Sequence, residues 1–204
     1  EFHKEFPKIP SGMSEYGCEA LNWHTSDPKQ GDYTEEYQAH YHEELIKQLY
    51  TRPYIWATHV WNMFDFASDG RDQGGEPGRN HKGLVTFDRK IKKDAFYIYK
   101  AYWSKEPFIH IASKRFINRT GNKATITVYT NQKEVTLIHN DNKITKKGDK
   151  IFKFKIKLDK ENYITAISNN LKDTSYIKKV NELDQNYINT TGNSHSWEKK
   201  DKDL

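Results

Sequence analysis

The sequence predicts two parts of different fold class. The first is an α/β part formed by the last strands and helices of a (β/α)8 barrel, and the second is an all-β part formed by an immunoglobulin-like antiparallel β-sandwich. Two observations lead to this prediction. The spacing of apolar residues changes after Pro107, from helical and buried-strand patterns to alternation. The charge changes too, because residues 1–104 carry 13 Lys/Arg against 16 Asp/Glu and residues 105–204 carry 20 against 12.

The elements of the first part alternate between strand and helix. The patterns predict a short strand at 13–16, an amphipathic helix at 34–50, a strand at 54–66 and a second helix at 93–103. The nearly continuous apolar run at 54–66 is typical of a strand buried on both faces. This order is that of a parallel α/β sheet, and two such units are too few to close a barrel. Residues 1–104 are therefore predicted to be the C-terminal portion of a (β/α)8 barrel.

The second part consists of short alternating segments separated by turn signals. Segments such as "ATITVYT" and "KIFKFKIKL" alternate apolar and polar residues, and "RTGNK" and "KKGDK" are typical of the turns between strands. This spacing predicts a β-sandwich domain at 105–188, with aromatic residues such as Tyr163 and Tyr176 mostly on the core face. The polar segment 189–204 is predicted to be a disordered tail.

Composition limits the classes of function. The chain of 204 residues is 35% hydrophobic, which is enough for packed cores. No leader-like segment and no apolar run of membrane-spanning length is found, so no membrane partner is predicted. The lysines of the basic part alternate with apolar residues, so no nucleic-acid partner is predicted. The single cysteine, Cys18, excludes an internal disulfide and does not distinguish cytoplasmic, periplasmic and secreted locations.

Glu15 is the first candidate for chemistry. It lies at the carboxyl end of the first predicted strand, and (β/α)8 barrels carry their active sites at that face. The alternative is that Glu15 caps a turn before Gly17, and spacing alone favours neither interpretation. Position in the predicted barrel nevertheless gives Glu15 a better claim to catalysis than any other carboxylate of the chain.

Four blocks resemble, in order and spacing, the end of the catalytic barrel of glycoside hydrolase family 2, which includes β-galactosidases, β-glucuronidases and β-mannosidases. They are "SEYG", "TEEYQAHYHE", "HVWNMFDFASDG" and "GRNHKGLVTFDRKIKKDAFYIYKAYW". The resemblance implies that Glu15 is the nucleophile of a retaining β-glycosidase and that Trp61 lines the sugar subsite. It also implies that the acid/base glutamate is absent, because that residue belongs to an earlier barrel strand. The chain is therefore expected to be the C-terminal piece of a larger hydrolase and to be inactive alone.

The segment "RNHKG" bears on the substrate. Asn80 and Lys82 match the Asn-x-Lys pattern that the family associates with β-glucuronidases, where amide and ammonium hold the sugar carboxylate. The surrounding run resembles bacterial β-galactosidases, and the prediction favours terminal β-galactosides, with β-glucuronides as the alternative. Lys82 has a second interpretation as a loop lysine paired with Asp88. His24, in the loop after Glu15, is predicted to bind substrate, with a solvent-facing loop histidine as the alternative.

The remaining predictions concern cofactors, partners and a competing function. No cofactor or metal is predicted for this chain, and a divalent cation in the parent enzyme is left open. The predicted partners are a carbohydrate substrate and the remainder of the parent barrel. The β-sandwich has a competing interpretation as a non-catalytic carbohydrate-binding or structural module. Structural support of the barrel is favoured, because most of its aromatic residues follow the core alternation.

Overall fold

The computed structural model describes residues 2–26, 33–71 and 75–187 of the chain. The tail predicted at 189–204 lies outside this part. The described chain begins with a short helix, α1 (Phe2–Glu5), and strands predominate over helices in the described residues after it. Among the described residues, no helix has the length and apolar character that crossing a bilayer requires.

The first part contains the predicted strand–helix–strand–helix order. Strand β1 (Ser11–Tyr16) pairs in parallel with β2 (Ile55–Val60), and helix α2 (Glu35–Tyr50) lies between them in the chain. Two short strands, β3 (Phe66–Ala67) and β4 (Arg79–Asn80), then pair antiparallel before helix α3 (Asp94–Trp103). The parallel sheet described here has two strands, so barrel closure stays a prediction.

The predicted strand at 54–66 is too long. Strand β2 ends at Val60, and the Trp61–Asn62 peptide bond shortly after it is cis. Beyond this bond the backbone pairs with the segment after β4, since the amide of Asn62 donates to the carbonyl of Lys82 at 3.1 Å. Burial on both faces is also wrong for β2 in this chain, because Trp56 is 73% exposed. The apolar pattern was correct for a strand but did not mark where its pairing partner changes.

The two long helices pack against each other and against the sheet through one apolar cluster. Thr34 caps α2, and its hydroxyl accepts a hydrogen bond from the amide of Tyr37 at 3.2 Å. The buried residues Ile46 of α2 and Ile98 of α3 belong to this cluster, as does Tyr16 at the end of β1. The cluster therefore fixes the helices behind the carboxyl end of β1.

The second part forms two antiparallel sheets that share one core. The three-stranded sheet has the order β10-β7-β5 and the five-stranded sheet the order β6-β12-β11-β8-β9. The strands are β5 (Ile109–Ile111), β6 (Asn118–Arg119), β7 (Lys123–Thr130), β8 (Glu134–His139), β9 (Asn142–Lys147), β10 (Ile151–Lys157), β11 (Glu161–Ser168) and β12 (Leu171–Lys179). Among these strands, β6 departs from the antiparallel pattern, since it pairs in parallel with β12.

The alternation predicted for "KIFKFKIKL" is present in β10. Phe152 and Phe154 point into the shared core while Lys153 and Lys155 are exposed. The prediction failed for Tyr163, a residue that is 63% exposed and lies beside Tyr176 on the outer face of the five-stranded sheet. Both residues are polar enough at the hydroxyl to occupy either face of a strand, so alternation alone assigned them incorrectly.

A seam of buried polar contacts joins the helices to the sandwich. The Arg115 guanidinium forms a two-point ion pair with the Glu35 carboxylate of α2. The Asp94 carboxylate at the start of α3 contacts His110 Nε2 at 2.9 Å, and the Tyr129 hydroxyl donates to Glu43 Oε1 at 2.7 Å. The two parts are thus connected by specific pairs of charged and polar groups.

Candidate active site

The ends of β1 and β2 meet at a close contact between backbones. The amide of Trp61 donates to the carbonyl of Tyr16 at 2.7 Å. A Cβ atom built on Gly17 would lie 1.8 Å from the Trp61 carbonyl oxygen, so this approach requires glycine. Gly17 therefore lets the strand carrying Glu15 lie directly beside Trp61.

A pocket of about 730 Å³ opens at these strand ends. Four of the five residues predicted for the site line it: Glu15, Trp61, Asn80 and Lys82. The Glu15 side chain is exposed to solvent, and it is the one carboxylic acid among the described residues that line the pocket. The Trp61 ring is 5.6 Å from the Phe66 ring in an edge-to-face arrangement, which supports one side of the indole.

Asn80 and Lys82 are held in a short segment tied to the Trp61 loop. Asn80 is buried, and its Oδ1 accepts a hydrogen bond from the Lys82 amide at 2.9 Å. The Lys82 carbonyl in turn accepts from Asn62. Asp88, the alternative partner considered for Lys82, accepts from the Thr86 hydroxyl at 2.6 Å. Asn80 and Lys82 thus line the pocket from a backbone that these hydrogen bonds hold in place.

A buried lysine supports this segment from behind. Lys93 Nζ, fully buried, donates to the carbonyls of Ala20 at 2.7 Å and His81 at 2.9 Å, and to Asp65 Oδ1 at 2.9 Å. Asp65 Oδ1 also accepts from the Gly83 amide at 2.8 Å. Burial lowers the pKa of Lys93, whereas the Asp65 carboxylate opposes that shift. One ammonium therefore connects three loops, and nothing local in the sequence signals it.

A second buried charge lies between the pocket wall and the same segment. Glu19 Oε1 accepts a hydrogen bond from Arg71 Nη1 at 3.0 Å, and Glu19 Oε2 accepts from the His81 amide at 2.7 Å. Arg71 lines the pocket and is half-buried, whereas Glu19 is buried. Sequence reasoning missed both residues, because they are far apart in the chain and neither lies in a local pattern.

A chain of three polar side chains extends from the strand end into the helix cluster. The Tyr99 hydroxyl lies 3.2 Å from the Tyr16 hydroxyl and 2.7 Å from His42 Nδ1. Burial lowers the pKa of His42 to about 3, so the imidazole is neutral near neutral pH. These contacts hold the side chain of Tyr16, which lines the pocket and is next to Glu15 in the chain.

His24 is the one predicted site residue that the structure does not bring to the pocket. The His24 amide donates to the Leu21 carbonyl at 3.1 Å in a tight turn, and His24 is not among the residues that line the pocket. The imidazole is buried rather than solvent-facing, beside the Trp23 ring, and burial lowers its pKa. The direction of this turn could not be read from residue spacing, which is why His24 was assigned to the site.

Within the described ranges, no group of three or more His, Cys, Asp or Glu residues could hold a metal ion.

No family model matches the chain. Among curated proteins, a β-glucuronidase of Bacteroides fragilis is 46% identical over 145 residues, which is 68% of this chain and 21% of that protein. A putative β-glucuronidase of Formosa agariphila is 44% identical over 98 residues, or 45% of this chain and 12% of that protein.

The solved structures that match this chain are also glycosidases by name, and the match covers more of the chain. An FMN-binding β-glucuronidase from Facaelibacterium prausnitzii L2-6 matches with a TM-score of 0.88 and 46% identity over 92% of this chain. A putative β-galactosidase from Bacteroides fragilis matches with a TM-score of 0.83 and 32% identity over 90% of this chain. This chain covers 30% of each of those two chains. It is therefore similar to one segment of much longer glycosidases.

Proposed function

We propose that this chain is a segment of a retaining β-glycosidase of glycoside hydrolase family 2, and that the parent protein hydrolyses β-glucuronides. In this proposal residues 1–104 are the end of the catalytic (β/α)8 barrel, and residues 105–188 are the immunoglobulin-like β-sandwich that follows it. The likeness to β-glucuronidases and to a putative β-galactosidase supports the family. The pocket at the strand ends, with its four predicted residues, supports the activity.

The observation that carries the proposal is the position of Glu15. Its carboxylate lies at the carboxyl end of β1, on the wall of a pocket that it shares with Trp61. In a retaining mechanism such a carboxylate attacks the anomeric carbon and forms a glycosyl ester, which water then hydrolyses. A second carboxylic acid, roughly 5 Å away, protonates the leaving oxygen and later activates the water. We assign that second role to a residue outside this chain.

The substrate proposal departs from the sequence prediction, which favoured β-galactosides. Most of the similar proteins are named β-glucuronidases, and Asn80 and Lys82 lie together on the pocket wall. A uronate carboxylate would accept charge-assisted hydrogen bonds from the Lys82 ammonium and the Asn80 amide. Such bonds would favour a glucuronide over the corresponding neutral sugar.

The remainder of the barrel is the proposed partner of the open sheet. One face of the β1–β2 sheet carries Trp56, and the neighbouring α1 segment exposes Phe2 and Phe6. Large exposed aromatic groups in one region are typical of a surface that another element covers. We propose that the preceding barrel strands cover it, which agrees with the expectation that the chain is inactive alone.

The test uses the full-length protein that contains this chain, assayed with aryl β-glucuronide and aryl β-galactoside. Glu15→Gln is expected to lower kcat by a factor of about 10⁴ or more while folding is preserved. Glu44→Gln, an exposed carboxylate on α2 outside the pocket, is the matched control and should retain activity. Retained turnover in Glu15→Gln would refute the nucleophile assignment.

Two further measurements separate the parts of the proposal. Asn80→Ala and Lys82→Met are each expected to raise KM for the glucuronide by about tenfold or more and to leave the galactoside KM nearly unchanged. The isolated 204-residue chain is expected to be inactive and to gain activity when the remaining portion is added. Activity of the isolated chain would instead place the acid/base residue within it.

A separate role for the sandwich has one observation in its favour, the exposed Tyr163 ring, whose centre lies 5.3 Å from that of Tyr176. Exposed aromatic faces bind sugars by stacking, although one pair is a small platform. The test is a glycan-binding screen that compares the full-length protein with its Tyr163→Ala variant. Loss of binding to a specific glycan in the variant would favour it, and unchanged binding would leave structural support as the role.

A further inference from the structure

The wall that carries Asn80 and Lys82 contains a buried negative charge, which is unexpected in a pocket proposed to bind an anionic sugar. The inference drawn from this charge rests on the proposed β-glucuronide activity. Glu19 accepts the His81 amide at 2.7 Å, and His81 lies between Asn80 and Lys82 in the chain. Consecutive Cα atoms are about 3.8 Å apart, so the Glu19 charge lies close to the backbone of both substrate-binding residues.

The charge of Glu19 has one partner that also lines the pocket. Arg71 Nη1 contacts Glu19 Oε1 at 3.0 Å, and Arg71 is one of the residues that line the pocket. The pair adds no net charge to the wall, so the Lys82 ammonium supplies its net positive charge. Without Arg71, the Glu19 carboxylate would stay buried against the His81 amide and would repel an anion in the pocket.

We propose that Arg71 is a specificity-determining residue that makes this wall compatible with a negatively charged sugar, by neutralising Glu19 beside the Asn80–Lys82 segment. Glu19 in turn is a positioning residue, since its two oxygens hold the Arg71 side chain and the His81 backbone in fixed relation. The pair thereby tunes selectivity between charged and uncharged sugars, and the chemical step itself does not depend on it.

The test compares a charged and an uncharged form of one substrate in the full-length protein: 4-nitrophenyl β-glucuronide and its methyl ester. Arg71→Gln is expected to raise KM for the free acid by about tenfold or more, because the unpaired Glu19 charge would then repel the substrate carboxylate. KM for the ester, or its inhibition constant if it is not turned over, should change less than about twofold. The kcat for the free acid should stay within about threefold.

Two more variants keep the test independent of misfolding. Arg71→Lys keeps the positive charge and should keep KM for the free acid within about threefold of the parent value. The double variant Glu19→Gln/Arg71→Gln removes both charges and should bring that KM back to within about threefold of the parent value. Arg52→Gln, which removes an arginine charge at the end of α2 away from the pocket, is the matched control and should change neither KM.

The outcomes are distinguishable from failure of the proposed function. An unaltered protein that does not hydrolyse the glucuronide would refute the activity and this inference together. If the unaltered protein hydrolyses the glucuronide, three results would each refute this inference alone. They are an unchanged KM for the free acid in Arg71→Gln, equal changes in KM for the acid and the ester, and no recovery of KM in the double variant.

Discussion

Replacing Lys93 by methionine tests how strongly the buried ammonium stabilises the segment that carries Asn80 and Lys82. Methionine keeps most of the aliphatic volume and removes the three hydrogen bonds of Lys93 Nζ, at 2.7, 2.9 and 2.9 Å. The change leaves the Asp65 carboxylate buried without its cation. Breaking a buried ion pair in this way costs about 3–5 kcal/mol.

The net effect is expected near the middle of that range. The carbonyls of Ala20 and His81 each lose a charge-assisted bond, which adds about 1–3 kcal/mol where no water replaces it. Asp65 keeps the bond from the Gly83 amide at 2.8 Å, which offsets part of the loss. We therefore expect local stability to fall by about 4 kcal/mol, which is a factor of roughly 10³ in the opening equilibrium.

The assay is amide hydrogen exchange, followed by mass spectrometry on a peptide spanning 79–84. The amides of His81 and Gly83 are both bound to buried carboxylates and report directly on opening of this segment. Their exchange should accelerate by about three orders of magnitude in Lys93→Met. Lys92→Met is the control, since Lys92 is the exposed neighbour and its loss should leave the peptide unchanged. Equal exchange rates in the two variants would refute the reasoning.

Three other perturbations have defined outcomes. His42 binds a proton in the unfolded chain below pH 6.5 but in the folded chain only near pH 3, so stability falls as pH decreases between them. His42→Gln should remove about 2 kcal/mol of the stability loss between pH 6.5 and 4.5 in urea titrations, and parallel curves would contradict this. Arg115→Met should lower the free energy of unfolding by about 3 kcal/mol, because it leaves the buried Glu35 carboxylate without its cation. Adding Glu35→Gln should restore part of this loss, and losses that simply add in the double variant would contradict the prediction. In the full-length protein, Gly17→Ala should abolish most turnover, because the added Cβ would lie 1.8 Å from the Trp61 carbonyl oxygen and force the two strand ends apart. The circular dichroism spectrum should stay close to that of the unaltered protein, and full activity would contradict the prediction.

Local patterns predicted the elements well where one period governs a whole segment. The helices were predicted at 34–50 and 93–103 and are found at Glu35–Tyr50 and Asp94–Trp103. The alternating segments became strands for the same reason, since a two-residue period fixes which side chains face a shared core. The end of β2 at Val60 was missed, because the apolar run continues while the hydrogen-bonding partner changes.

The sequence predicted some residues of the candidate site and missed others. Glu15, Trp61, Asn80 and Lys82 belong to the quoted blocks, and they line one pocket. Their supports could not be predicted, since the Lys93–Asp65 contact joins residues 28 apart and the Arg71–Glu19 contact residues 52 apart. Such pairs leave no periodic trace in a sequence, because only the folded chain brings them together.

The seam between helices and sandwich has a consequence for how such chains can be recombined. Glu35, Asp94 and Glu43 lie on one side of it, and Arg115, His110 and Tyr129 lie on the other. A chimaera that took its sandwich from a relative without matching partners would bury unpaired carboxylates at the junction. The two parts are therefore expected to be inherited as a unit, with substitutions on one side followed by compensating substitutions on the other.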